Sequence, residues 1–238
     1  QFCTGGHPAR HGGGSLTARP FITAVSWRRV RLGKAADSFG SDLFTNCRSL
    51  EVLELHAVPA RQRGCAGCWV AISADVTVEF TGGARLFYPE YFELLDENTP
   101  AHIFNHSIEG EGYRMRQCFA ADGSLDFAAY DASFAQACVG ESEEKLCRLA
   151  LGRLCLPYGL GDDARADYEF YLTAHPDAAF TLAITARDEA TVKLLVGLGL
   201  PTSNAAAFCA RQGWSAGAAL LLGRPKRAAK KTYNFYDL

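Results

Sequence analysis

Three groups of residues in this chain have the types and spacings that carry chemistry. The first is Cys65-x-x-Cys68, a dithiol pair of the kind used in redox exchange or metal binding. Redox use needs a βαβ setting with a helix opening at the first cysteine. Here a glycine-containing turn leads instead into Trp69 and a run of β-type residues. The second group is His102 and His106, four apart and therefore on one face if a helix runs through them. Together Cys65, Cys68, His102 and His106 make the donor set of a small zinc-binding module. The gap between the pairs is long for a compact finger, and the order His-Ile-Phe-Asn-His lacks the glutamate of a metallopeptidase helix. Surface or cap histidines are the plainer reading, with zinc as the alternative. The third group is Tyr113, Arg114 and Arg116 in YRMRQCF, a basic and aromatic cluster able to hold an anion or a base. Read as a strand, it places its arginines on a solvated face. The acids at Glu141, Glu143 and Glu144 and at Asp162-Asp163 fall at helix starts, where the dipole favours them without any catalytic role. No signature of a nucleophile surrounds any cysteine. The expectation is therefore a protein without catalytic residues or cofactor.

These residues sit in a chain of 238 residues, 48% hydrophobic and 21% charged, ordinary values for a globular protein and enough for one large domain or two modest ones. The net charge of -2 is unevenly spread. Residues 1–40 carry six Lys/Arg and one acid, residues 224–238 five and one, and the stretch between is strongly acidic. Basic ends on an acidic body suit nucleic acid or an acidic partner. Neither end interleaves aromatics with its charges as base stacking would need, so solvated termini are the plainer reading. Nine cysteines is an odd number, and Cys138, Cys147, Cys155 and Cys209 fall in helical patterns as small hydrophobes. That favours reduced thiols and a cytoplasmic setting. No apolar run reaches membrane-spanning length. No signal peptide is visible, although a chain starting at Gln1 leaves a preceding segment open. The glycines at 5, 6, 12, 13 and 14 are not followed by Gly-Lys-Ser/Thr and make no phosphate loop.

The elements that position these groups are organised around Leu43 to Leu55, reading LFTNCRSLEVLEL. Leu50-x-x-Leu53-x-Leu55 recurs 23 residues earlier as Trp27-x-x-Val30-x-Leu32, and a further 23 residues on Val76 and Val78 stand where Leu53 and Leu55 stood. Such a period indicates stacked repeats, each a strand plus a return segment. The pattern Phe44-x-x-Cys47-x-x-Leu50-x-x-Leu53-x-Leu55 resembles the BspA-like leucine-rich repeat family over about residues 21–80. The resemblance implies that Phe44 and Cys47 pack under the strand and that the strands share one curved sheet. Cys65-x-x-Cys68 takes the place of Phe44-x-x-Cys47 at an offset of 21, so the third repeat is expected to slip.

Thr99-Pro100 reads as a cap and first residue of a helix through Phe104, Tyr113 to Phe119 as a strand, and Asp122-Gly123 as a turn. From Ser142 the chain is helical. An internal repeat at offset 26 lays ATVKLLVG (190–197) over AGAALLLG (216–223), so that Leu194, Leu195, Leu220 and Leu221 are expected to stack. Helix-ending glycines stand at 199, 213 and 223, and N-caps at Ser203 and Ser215. Asp188 to Val196, followed by Gly199, resembles the second helix of an ankyrin repeat. The Thr-Pro-Leu-His opening of that family is absent, so a run of ankyrin-like helical hairpins is implied.

The expected fold is α+β: a short leucine-rich-repeat-like β region over 1–85, a connector over 86–135, and an α-helical hairpin repeat domain over 136–238. The function this implies is a non-catalytic protein–protein adaptor or scaffold with an unidentified protein partner. A zinc module and nucleic-acid binding through the basic termini stand as alternatives. Candidate binding residues are Trp214, Tyr113, Arg114 and Arg116. Trp214, in an inter-helix loop, reads either as an exposed interface anchor or as a plug folded into the stack.

Overall fold

A computed structural model describes residues 27–33, 43–44, 47–56, 68–98 and 103–222. The glycine-rich start, Cys65, Thr99-Pro100, His102, Gly223 and the basic tail lie outside the described residues. The fold is α+β. The chain divides into two compact units, Gln1–Glu141 with Leu156–Leu160, and Ser142–Cys155 with Gly161–Leu238.

In the first unit, β1 (Arg29–Leu32), β2 (Val52–Leu55), β3 (Val76–Phe80) and β4 (Ala84–Tyr88) form one sheet in chain order. The first three strands are parallel and β4 turns back antiparallel on β3. The expected register Val30↔Leu53 is present. Leu53 pairs with Val78, however, and not with Val76. The step from β2 to β3 is thus two residues longer than the step from β1 to β2, where the cysteine spacing suggests two fewer. A shift of two keeps every side chain on its face, and Val76, Val78 and Phe80 all point inward. Leu43, Phe44, Cys47, Leu50, Leu53 and Leu55 are buried with them. The turn beneath β2 is tied by Cys47 N–H to Phe44 O and Leu50 N–H to Cys47 O, at 3.0 and 3.2 Å.

On the outward face, register sets Arg31 beside Glu54, Glu54 beside Glu79, and Glu79 beside Arg85. Arg29 and Arg31 both pair with Glu54, and Arg85 lies 2.8 Å from Glu79, so the two opposed glutamates are bracketed by cations. The hydrogen bond from Arg31, with a second from Arg29, holds the Glu54 carboxyl below its ordinary value against the opposing effect of burial. Stability from this network is present above the unfolded glutamate value of about pH 4 and is lost as pH falls through the lower folded value. Acid titration of the unfolding midpoint should therefore show a limb below about pH 4 that Glu54→Gln flattens. An identical limb in the variant would place the coupling elsewhere.

The segment expected to be a connector belongs to the first unit. β5 (Phe92–Asn98) and β6 (Ile103–Glu109) pair antiparallel as a separate two-stranded ladder. The residues from Ile103 through His106 are therefore strand, not helix: cross-strand pairing of an Ile/Phe-containing run overrides the local Thr-Pro start signal. The stretch expected as a strand from Tyr113 is instead helical, as α1 (Gly112–Met115), followed by the Asp122-Gly123 turn, which the Phe119↔Leu125 bridge closes. α2 (Phe127–Ala132), capped by the Asp126 carboxylate, and α3 (Phe134–Gly140) complete the unit. Tyr130 anchors α2 to the sheet, donating to Phe87 O at 2.6 Å and accepting from Phe87 N–H at 3.1 Å. Trp69 lies stacked on Tyr88 and edge-on to Phe80 in the same core.

The second unit contains α4 (Glu143–Cys155), α5 (Asp162–Ala174), α6 (Pro176–Thr185), α7 (Glu189–Gly197), α8 (Ser203–Arg211) and α9 (Ser215–Leu222). Leu146, Leu149, Ala150 and Leu154 are buried on α4, as their spacing predicts, and Cys147, Leu151 and Arg153 are buried with them, so the helix is covered nearly all round. α6 packs between α4 and α8, and α7 packs on α9. Leu195 and Leu221 are buried, while Leu194 and Leu220 are half-buried. Thr202, not Ser203, holds the N-cap position of α8.

Three helix ends in this unit share one hydrogen-bond pattern. Asp188 N–H reaches back to Ala183 O, Leu200 to Leu195, and Trp214 to Cys209, each spanning five residues. The residue before each donor is left-handed: Arg187, Gly199 and Gly213, with φ of 51°, 86° and 63°. Glycine takes this conformation without strain, whereas the arginine does not. No described helix is long and apolar enough to cross a membrane.

Candidate binding groove

α6 packs directly on α8. Between them lies an open groove of about 290 Å³ lined by Asp177, Phe180, Thr181, Ile184, Asn204, Ala205, Phe208 and Arg211. On α6 the lining positions follow i, i+3, i+4 and i+7, and on α8 Ala205, Phe208 and Arg211 fall three apart beside Asn204, each set covering one side of its helix over about two turns. Phe180, Ile184 and Ala205 are buried and form the floor with half-buried Phe208. The rim is polar. At the N-terminal end of the two helices Asn204 Nδ2 donates to both carboxylate oxygens of Asp177, at 3.2 Å each. Near the C-terminal end of α8 the Arg211 guanidinium lies 5.6 Å from the centre of the Phe208 ring. An apolar floor with opposite charges at its two ends suits an apolar side chain flanked by polar groups.

The residues singled out from the sequence fall elsewhere. Trp214 is buried, 8% exposed, and is no surface anchor. It directly follows the left-handed Gly213, where an apolar residue folds back on the helix it terminates. Its ring lies against Gly217 of α9: a Cβ there would sit 2.2 Å from the ring. The sequence carries a signal for this, since Gly213-Trp214, like Gly199-Leu200, sets a large apolar residue directly after a helix-ending glycine.

The cluster Tyr113, Arg114 and Arg116 separates. Two positions apart, arginines share a face in a strand but lie about 200° apart on a helix, and this segment is helical. Arg114 is exposed, and Tyr113 is half-buried with its ring 5.4 Å from that of Tyr91. Arg116 is buried, 1% exposed. Its Nη1 donates to Pro89 O at 2.5 Å and Gly112 O at 2.8 Å, and its Nη2 to Ala74 O at 2.8 Å. The guanidinium also lies over the rings of Tyr91 and Tyr88, at 5.1 and 5.5 Å. Burial pulls it down to about 10, so it stays charged at neutral pH. Gly112 allows this: a Cβ there would fall 1.9 Å from Pro89 O and 2.6 Å from Arg116 Nη1. Arg116 is thus buried as a clamp between segments and not displayed on a solvated face.

Of the zinc set, Cys65 and His102 lie outside the described residues. Cys68 is completely buried, while His106 is exposed on β6 with its Nε2 3.4 Å from Glu93. Among the described residues no three His, Cys, Asp or Glu side chains converge as metal ligands. Cys147 on α4 is sealed in the helical core, where burial, with a smaller effect of Glu143, pushes its thiol up to about 12. No family model, no curated protein and no solved structure matches this chain.

Proposed function

We propose that this chain is a non-catalytic protein-interaction adaptor that takes a segment of a partner protein into the groove between α6 and α8. The observation that carries this reading is the groove itself, an open apolar floor with an Asp177–Asn204 pair at one end and Arg211 at the other. Repeat-built surfaces of this kind serve as binding faces. In this reading the α6/α7 and α8/α9 pairs are ankyrin-like hairpins. The parallel β1, β2 and β3, joined by return segments with Phe44 and Cys47 packed beneath, are leucine-rich-repeat-like coils. The adaptor works in the cytoplasm.

The test combines capture with groove variants. Thr181 and Arg211 are exposed and border the floor without supporting the core. Thr181→Arg fills the groove and Arg211→Glu inverts its rim. Each is expected to leave the thermal midpoint within about a degree or two, since surface changes are usually within about 0.5 kcal/mol. Each should lower recovery of the partner from source-cell extract by about tenfold, the loss of about 1.4 kcal/mol that one central contact contributes. Quantitative mass spectrometry of the captured proteins is the readout. Equal recovery by wild type and both variants would remove the groove from the function.

A further inference from the structure

The β5–β6 ladder exposes apolar side chains on both faces. Phe92 is 56% exposed and Leu95 67%, with Leu94 and Ile108 also exposed. Among the described residues no segment outside the ladder hydrogen-bonds to the backbone of either strand. A lone two-stranded hairpin is marginal in water, and an open strand edge is a template for a further strand.

The register decides what such a strand must look like. Phe92↔Glu109 and Leu94↔Ser107 place Phe92 and Leu94 on one face, while Glu93↔Ile108 and Leu95↔His106 place Glu93 on the other. Glu93, Asp96 and Glu109 are exposed, and neither strand contains a lysine or arginine. His106 approaches Glu93 from the β6 side, which leaves the β5 edge for an incoming cation.

We propose that the outer edge of β5 accepts an extended basic peptide as a third strand, its apolar residues beside Phe92 and Leu94 and its alternate Lys or Arg beside Glu93. The peptide's backbone supplies ladder hydrogen bonds, and its alternation supplies selectivity. A second copy of this chain is a poor occupant, because pairing β5 with β5 sets acidic strand against acidic strand. This site lies in the first unit and does not depend on the groove between α6 and α8.

The probe is a capped heptapeptide alternating Lys and Val, titrated by calorimetry into the full chain at low salt. Hydrogen exchange then follows the amides of 92–96. Binding should slow exchange across β5 at least tenfold. An alternating Glu and Val peptide should not bind. A Lys and Val peptide N-methylated at alternate residues keeps its charge but cannot form the ladder, and should bind at least tenfold more weakly to the unaltered protein. Glu93→Lys, and Phe92→Ser with Leu94→Ser, should each weaken the unmethylated probe about tenfold. The proposal is overturned if the Lys and Val peptide does not bind, if the N-methylated peptide binds equally well, or if both variants bind like wild type. It is also overturned if the protein dimerises through Phe92 and Leu94, which would show a second copy on this edge.

Discussion

Arg116→Ala is expected to cost about 3–5 kcal/mol and to lower the unfolding midpoint of the first unit far more than a surface change would. Three backbone carbonyls, from Ala74, Pro89 and Gly112, accept from one guanidinium at 2.8 Å or less. A buried acceptor left without its donor costs about 1–3 kcal/mol, so even the lower figure, taken three times, reaches the expected range. Arg116→Lys tests the geometry separately from the charge. An ammonium on a single stem cannot span acceptors on three segments as a planar fork does, so lysine should recover only part of the loss. Gly112→Ala should behave like the alanine variant, because the added Cβ meets Pro89 O and the arginine together. Unfolding followed by hydrogen exchange at the amides of β3 and β4 reports on this unit, since Tyr88, one of the rings beneath the guanidinium, lies on β4. A midpoint unchanged in Arg116→Ala would mean that the three carbonyls find other donors.

Trp214→Ala is expected to destabilise the second unit by about 3–5 kcal/mol, the usual range for deleting a buried aromatic ring. The ring fills the space that Gly217 leaves open on α9. The two positions should therefore be coupled. Gly217→Ala alone drives a methyl group into the ring, but in the Trp214→Ala background that methyl enters vacated space. The double variant should then be less destabilised than the sum of the singles, by about 0.5–3 kcal/mol. Chemical unfolding of the four proteins closes the cycle. Additive effects, or a Trp214→Ala midpoint equal to wild type, would mean that the ring does not fill this space.

Sequence periodicity was informative for β1 against β2 and for the buried positions of α4, but it misplaced β3 by two residues. The 23-residue spacing placed Val30 beside Leu53, and the burial of Leu146, Leu149, Ala150 and Leu154 on α4 follows from 3.6-residue patterning. It was uninformative wherever a single non-repeating contact decides. Nothing near Ile103 shows that Phe92–Asn98 will pair with it, so a local helix-start signal stood unopposed. Arg116 looks like any arginine in a basic cluster, because its partners are backbone carbonyls up to 42 residues away, which leave no mark in residue types. The groove lies between these cases. Asp177 and Asn204 are the second residues of α6 and α8, 27 residues apart against an offset of 26, so the internal match brings them close to alignment. Their hydrogen bond, however, follows from the distance between helices, which the alignment does not contain.

The left-handed Arg187 at the end of α6 makes this the one strained joint of the three that share the pattern. α7 and α8 close on glycine, but α6 closes on a residue that holds this backbone at a cost of about 1–2 kcal/mol. The joint into α7 thus stores strain that its two counterparts do not carry, and transient fraying at this joint releases it. The helical unit accordingly carries this strain in its interior, at the joint between α6 and α7, where Arg187→Gly would relieve it.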